Sequence, residues 1–358
     1  MGARCAKRRR PLNGNAPPCL ADFSIIRSIG RGAFGKVCIV QHRWSNKLYA
    51  MKYMSKERCI RQNMVDNVLK ELSIVTSLDH PFIVNLQSSF QDGRYMYIVS
   101  DLLLGGDLRY HLNQNGKFKE DRSKLYMCEM ALAIDYLHSR CIVHRDIKPD
   151  NIILDEKGHA HLTDFNLATR LDKGNLATSF SGTRPYMAPE LYSTCIGITP
   201  GYDHRIDWYS LGCTIHEMLR GRPPYQLSSS LPHQQVLMIL CECPLELPSD
   251  WSSDLISFIT RLLSFHPNNR LSSLEQIKKH EYCERVDFGW IHSRRAAPTF
   301  IPSQHCLNCD PLYEIEERVI VSTPIRDRRR KSSKTTSSSV DSSALEALSS
   351  AFINYNRV

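Results

Sequence analysis

An α+β fold in two lobes is predicted by three features of the chain. Short alternating apolar segments run near its start, a long stretch of helical periodicity follows, and 358 residues suffice for about two such units. Residues 1–22 are basic and rich in Pro and Asn, and the alternation begins only at Phe23, Ile25, Ile26 and Ile29, which sets a boundary there. From Phe23 to about Ser100, short strands are broken by turn residues, with one helical stretch at Met64, Val65, Val68, Leu69, Leu72 and Val75. These make a small, mostly β lobe, residues 23–102. In residues 103–283 helices dominate: Leu125 to Leu137 reads as amphipathic, and Trp208 to Leu219 is apolar on most faces, as a buried helix would be. Residues 284–358 form a tail with Pro298, Pro302 and Pro311. Its basic, Ser-rich stretch 326–343 is too poor in apolar residues to order itself.

Composition excludes several classes. No apolar run of ~18 residues would span a bilayer, and Pro11, Asn13, Gly14 and Asn15 stand where a signal peptide would carry its apolar stretch. Thirteen Cys scattered through core-like segments suit a reducing, cytoplasmic setting, most of them as buried free thiols. Cys306 and Cys309 form a lone CxxC beside His305, without further ligands at zinc spacing, and His159 and His161 read as structural histidines. The net charge of +9 is concentrated at Arg4, Lys7–Arg10 and Arg326–Lys331, in tails and not on a groove face, so no nucleic-acid partner is expected. Gly2, Cys5 and the Lys7–Arg10 cluster offer acylation and a basic patch for reversible membrane association, although Ala6 stands where Ser or Thr is favoured. A basic solvated tail or a nuclear-import patch is the plainer reading.

The chemistry is carried by His144 to Asn151, HRDIKPDN, followed by Asp164, Phe165 and Asn166. Asp146, Lys148, Asn151 and Asp164 supply the positioning and charge neutralisation that phosphoryl transfer from ATP requires. Asp146 would orient the acceptor hydroxyl, Lys148 would neutralise the moving phosphoryl group, and Asn151 and Asp164 would hold Mg2+ through oxygen atoms. Gly30, Gly32 and Gly35 form GxGxxG. The segment Ile25–Ile29 is answered by a second strand at Val37–Val40, so the loop caps a hairpin over phosphates and is not a strand-to-helix dinucleotide turn. These motifs resemble those of the eukaryotic protein kinases, a resemblance that implies nucleotide contacts at Ile29, Gly30, Gly32, Ala33, Phe34, Gly35, Val37, Ala50, Lys52, Asp101 and Leu103.

The pattern HRDxKPxN followed by a DFG-like triplet resembles the eukaryotic protein kinases. That resemblance implies a bilobal kinase fold, with a small antiparallel-β lobe carrying one key helix above a larger, mostly helical lobe. It implies that Lys52 pairs with nucleotide phosphates and with a helix glutamate, Glu71, and that Ser100 to Leu103 form the hinge that receives adenine, with Ser100 a small gatekeeper. Lys148-Pro149, and Gly182-Thr183 before Ala188-Pro189-Glu190, resemble serine/threonine kinases and put Thr183 beside Asp146. Glu190 is expected to pair with Arg270, and Asp207 to brace the catalytic loop. Val75, Leu86, His144 and Phe165 match a packed column of related kinases. Asn166 replaces the usual Gly, where the backbone would take a positive φ at a cost of about 1 kcal/mol.

Across residues 23 to about 320, DLLLGGDLRYHL (Asp101–Leu112), TDFN and FIPSQHCLNCDP (Phe300–Pro311) resemble the YANK group of AGC-type kinases, of which Asn166 is itself a feature. The resemblance implies a serine/threonine kinase of protein substrates in intracellular signalling, monomeric, with ATP and Mg2+. Asp107, Asp150 and Glu217 match acids that receive arginines preceding the phosphorylated residue, which implies a basophilic preference. Ser179, three before Gly182, is the expected site for an upstream kinase, its phosphate received by Arg145. Phe352 and Tyr355 in FINY resemble a hydrophobic motif that docks beside the Glu71 helix; a frayed amphipathic tail is the alternative. A pseudokinase scaffold, the same fold locked in one state by Asn166, is the competing functional reading.

Overall fold

The computed structural model describes residues 17–31, 35–304, 308 and 342–357. Gly2, Cys5, Lys7–Arg10, Gly32, Ala33, Phe34, His305, Cys306 and Cys309 lie outside the described residues, as does 326–341 of the stretch expected to be disordered.

The first lobe is an antiparallel sheet of β1 (Phe23–Arg31), β2 (Gly35–His42), β3 (Leu48–Ser55), β4 (Leu86–Gln91) and β5 (Tyr95–Asp101), with α1 (Lys56–Arg61) and α2 (Val65–Val75) between β3 and β4. The order across the sheet is β1-β2-β3-β5-β4. Successive side chains on a strand point to opposite faces. Met96 and Ile98 of β5 accordingly join Val68 and Leu72 of α2 on one face, while Tyr97 and Val99 join Phe23, Met51 and Phe90 on the other. Val68, Leu72 and Val75 recur at helical spacing, and this apolar stripe fixes which way α2 turns. Two expectations need correction. A second helix, α1, follows β3, started by the Ser55 hydroxyl accepting from the Arg58 amide. The strand expected to end at Val99 runs on through Ser100 and Asp101, which pair with Ala50 and Tyr49 of β3.

The second lobe runs α3 (Leu108–Asn115), α4 (Glu120–Ser139), β6 (Ile142–Val143), β7 (Ile152–Leu154), β8 (Ala160–Leu162), β9 (Thr169–Arg170), α5 (Pro189–Cys195), α6 (Arg205–Arg220), α7 (His233–Glu242), α8 (Ser253–Leu262), α9 (Leu274–Lys278) and α10 (Phe288–His292). Every residue of α6 from Ile206 to Leu219 is buried, so this helix is the axis of the lobe. The hairpin pairs β6·β9 and β7·β8 bracket the segments that carry HRDIKPDN and DFN. His159 and His161 are buried with carboxylate partners, Nδ1 of His159 at 2.6 Å from Glu129 and Nε2 of His161 at 3.5 Å from Asp155. No helix among the described residues is long and apolar enough to cross a membrane.

The tail returns to both lobes. The Phe300 ring lies 3.6 Å from the Arg122 guanidinium, which the Phe118 ring covers from its other side at 3.8 Å. Asn308 donates to the Leu104 carbonyl at 2.9 Å, and Gly106 is required below it, since a Cβ there would sit 2.0 Å from the Asn308 oxygen. Further on, α11 (Ser342–Ala351) and β10 (Tyr355–Asn356) cover the first lobe, β10 adding a sixth strand beside β4. Leu348 and Phe352 are buried among Cys59, Val68 and Leu72, so FINY docks beside the Glu71 helix and is not frayed. Ser342 and Ser343, the end of the stretch expected to be disordered, begin α11 because the apolar face of the helix finds this groove. All ten described cysteines are free thiols, but only five are buried, fewer than composition implied.

Candidate active site

A cleft of about 400 Å³ separates the sheet from the helical lobe. Ile29, Val37, Ala50, Lys52, Ser100, Asp101 and Leu103 line it, together with Ile153 of β7 from the second lobe. The alternation of β3 turns Met51 into the core on one face of the sheet and puts Ala50 and Lys52 on the other, where they line the cleft and Met54 of the same face packs against α2. Gly35 is needed for a reason other than phosphate approach: a Cβ on it would lie 2.2 Å from the Tyr53 carbonyl of β3. Lys52 Nζ donates to both carboxylate oxygens of Glu71 at 3.0 and 3.1 Å, so the sheet and α2 are joined at the cleft. Glu57 takes no part; it pairs with Arg61 one turn on in α1.

Across the cleft, the loop from β6 to β7 is held from below. Asp207, in the first turn of α6, accepts from the His144 and Arg145 amides at 2.9 and 2.8 Å and from His138 Nε2 at 2.8 Å. Full burial would raise its pKa, but the His138 bond, the nearby histidine charges and the Arg145 amide hold it below the ordinary carboxylate value. Arg145 has φ 69, a left-handed conformation that non-glycine residues adopt only when their surroundings over-determine it, and the bond from its amide to Asp207 is one such constraint.

Asp146 is the node of the loop. Its Oδ1 accepts from the Thr183 hydroxyl at 2.7 Å, and its Oδ2 accepts from Lys148 Nζ at 2.8 Å and Asn151 Nδ2 at 3.0 Å. Lys148 also donates to Thr183 Oγ1 at 2.7 Å. Asn151 Nδ2 donates in addition to the Asp146 carbonyl at 2.8 Å, which turns the Asn151 amide oxygen away from Asp146. Asp164 lies exposed in the cleft wall. The left-handed residue of the DFN triplet is Asp164, with φ 64, and not Asn166. The Asn166 amide approaches Asp164 Oδ1 at 3.4 Å, a local side-chain contact of the kind that lets Asp take this conformation. The turn sends Phe165 into the core, its ring 5.1 Å from that of His144, while Val75 packs against both the cluster of Phe165 and that of Leu86.

In the segment that follows, Arg145 bonds the Ser179 hydroxyl, the Leu167 carbonyl at 2.6 Å and Tyr202 Oη at 3.1 Å. The Tyr202 hydroxyl donates to the Ser179 carbonyl at 2.6 Å. Glu190 and Arg270 form a buried, two-pronged pair at 2.6 and 2.9 Å.

The three acids read as an open receiver for substrate arginines are already engaged. Arg109 of α3 spans two of them, at 3.3 Å from Asp150 and 2.6 Å from Glu217, and the Asp107 carboxylate caps α3 by accepting from the Tyr110 amide at 2.7 Å. Arg109 sets one positive charge against the two carboxylates Asp150 and Glu217, and Asp107 meets only a backbone amide. Sequence reasoning missed Arg109 and His138. For Arg109 one signal was available: a cation in the first turn of a helix is a poor match for the helix dipole unless acids elsewhere hold it.

Residues 23–283 match the family described as protein kinase domain. The chain is 43% identical over 364 residues to human serine/threonine-protein kinase 32C, covering 98% of this chain and 75% of that one. It is 45% identical over 334 residues to human serine/threonine-protein kinase 32B, covering 93% and 81%. Similarity extends to the serine/threonine-protein kinase AtPK2/AtPK19 of Arabidopsis thaliana, 35% identical over 294 residues, 81% of this chain and 60% of the other.

Proposed function

We propose, from the premise that this chain belongs to the protein kinase domain family as an AGC-type serine/threonine kinase of the YANK group, that Asp146 and its bonded neighbours perform the transfer from ATP to a protein hydroxyl. The observation that carries this reading is the network in which one carboxylate gathers Lys148, Asn151 and Thr183 opposite the Lys52–Glu71 pair. Asp146 accepts the hydrogen bond of the incoming Ser or Thr hydroxyl and aims it, and Lys148 neutralises the transferring group. Lys52, oriented by Glu71, steadies the nucleotide phosphates, and the backbone of Asp101 to Leu103 receives adenine. The Asp164 carboxylate and the Asn151 amide oxygen are hard oxygen donors that suit Mg2+, which when bound offsets phosphate charge. Thr183 belongs to the acceptor side through its bond to Asp146.

Transfer from labelled ATP to a serine peptide library, with and without excess chelator, tests this reading. Incorporation that requires Mg2+ supports it; measurable ATP binding without transfer would favour the scaffold.

Ser179 is the proposed site of an upstream kinase, because its hydroxyl already touches the Arg145 guanidinium, where a phosphate gains charge-assisted bonds. Ser179→Ala is expected to lower the transfer rate of the phosphorylated enzyme by roughly tenfold, the equivalent of one such bond. Full activity of that variant, measured after treatment with the activating kinase, would remove Ser179 from the control mechanism. The proposal extends to a monomer acting in the cytoplasm, held reversibly at membranes through Gly2, Cys5 and Lys7–Arg10.

A further inference from the structure

The guanidinium of Arg109 sits in a site built for it. Nη1 donates to Glu217 Oε1 at 2.6 Å and Nη2 to Oε2 at 3.2 Å, Nη2 also bonds the Tyr186 hydroxyl, and Nε donates to Asp150 Oδ2 at 3.3 Å. Glu217 comes from the buried α6 and its side chain is 3% exposed, whereas Arg109 keeps 29% of its side chain in contact with solvent. Two planar prongs on one carboxylate, with a hydroxyl and a second carboxylate at the flank, match a guanidinium and not an ammonium. The position is beside the acceptor site: Asp150 is four residues past Asp146, and Tyr186 three past Thr183. Burial pushes the Tyr186 phenol up and Glu217 raises it further; burial alone would lower Arg109, but the Glu217 bond and the surrounding charges outweigh it. Arg109 is therefore held charged.

We infer that Arg109 is a specificity-determining residue, an occupant in cis of a guanidinium site beside the acceptor, which denies that site to arginines of the substrate. This rests on the reading of Asp146 as the place of transfer. A tethered side chain competes at an effective concentration of roughly millimolar or above, so a peptide at lower concentration gains nothing by exchanging its own arginine for one already bound. At the preceding position that this site would read, the enzyme is indifferent to arginine, and loss of Arg109 opens the site.

A serine-centred positional library phosphorylated from labelled ATP reads this directly, because ratios within one library do not depend on total activity. At the preceding position served by Asp150 and Glu217, wild type is expected to tolerate arginine or alanine within about twofold. Arg109→Ala is expected to enrich arginine at one preceding position by about tenfold, the value of a charge-assisted fork, and Arg109→Ala with Glu217→Gln to lose that enrichment. Arg109→Gln, which keeps a neutral donor for Glu217, serves if Arg109→Ala does not fold. Independently, Glu217→Gln beside an intact Arg109 must leave the profile flat. An unchanged profile in an active Arg109 variant overturns the inference, as does wild-type arginine selection that Glu217→Gln removes. Absence of transfer by wild type to every peptide overturns the phosphotransfer reading and this one with it.

Discussion

Asp146→Asn is expected to lower the rate of phosphate transfer by about 10²- to 10⁴-fold, the range for loss of a positioned acid or base. The substitution keeps the size of the side chain but cannot keep its bonds. Oδ2 receives two donors, Lys148 and Asn151, so an asparagine must direct its oxygen there and its amide toward Thr183. Thr183 Oγ1 already accepts from Lys148, and its own proton then loses the acceptor it had in Asp146. An incoming substrate hydroxyl meets a donor where an acceptor is required. Because Asp146 does not line the nucleotide cleft, the KM for ATP should stay within about twofold while kcat falls. Steady-state transfer to a serine peptide separates the two constants. A variant that retained a tenth or more of wild-type kcat would move the chemistry away from Asp146.

The buried pair of Glu190 and Arg270 carries the largest expected effect on stability. Arg270 is inaccessible to solvent, forks both prongs onto Glu190, donates to the carbonyls of Arg205 and Ser264, and lies 5.0 Å from the Tyr209 ring centre. It ties α5 to α6 and to the connection after α8. Arg270→Ala removes one partner and leaves a carboxylate buried without its countercharge, which costs about 3–5 kcal/mol. Arg222→Ala breaks a pair of similar chemistry with Glu246 whose side chains are both exposed, and should cost no more than about 1 kcal/mol. Denaturant unfolding of the two variants against wild type gives the comparison. Equal midpoints would show that Glu190 is relieved by water or by local rearrangement once Arg270 is gone.

Much of the site was legible because its parts lie close together in the chain. Asp146, Lys148 and Asn151 span six positions of one loop, and residues so near can meet whatever else the fold does. Lys52 and Glu71 were legible for a different reason: the kinase resemblance called for a strand lysine and a helix glutamate, and Glu71 lay on the helical stretch. The reading of Asn166 went astray because a left-handed residue was needed, but the triplet does not state which of its members turns. Burial of Phe165 against His144 decides that, and it places the turn at Asp164.

The sequence alone determined the chemistry of this kinase and its two-lobed class, since local spacing and hydrophobic period are properties of neighbours. Only the tertiary structure decided that Arg109 closes the acidic site, by reaching Asp150 and Glu217 across 41 and 108 residues of chain. It also decided that Leu348 and Phe352 order the tail against α2, across more than 250 residues. Such contacts depend on which surfaces the packed lobes leave within a side chain's reach. A carboxylate read as open is open only if no cation of the same molecule is close enough to fill it.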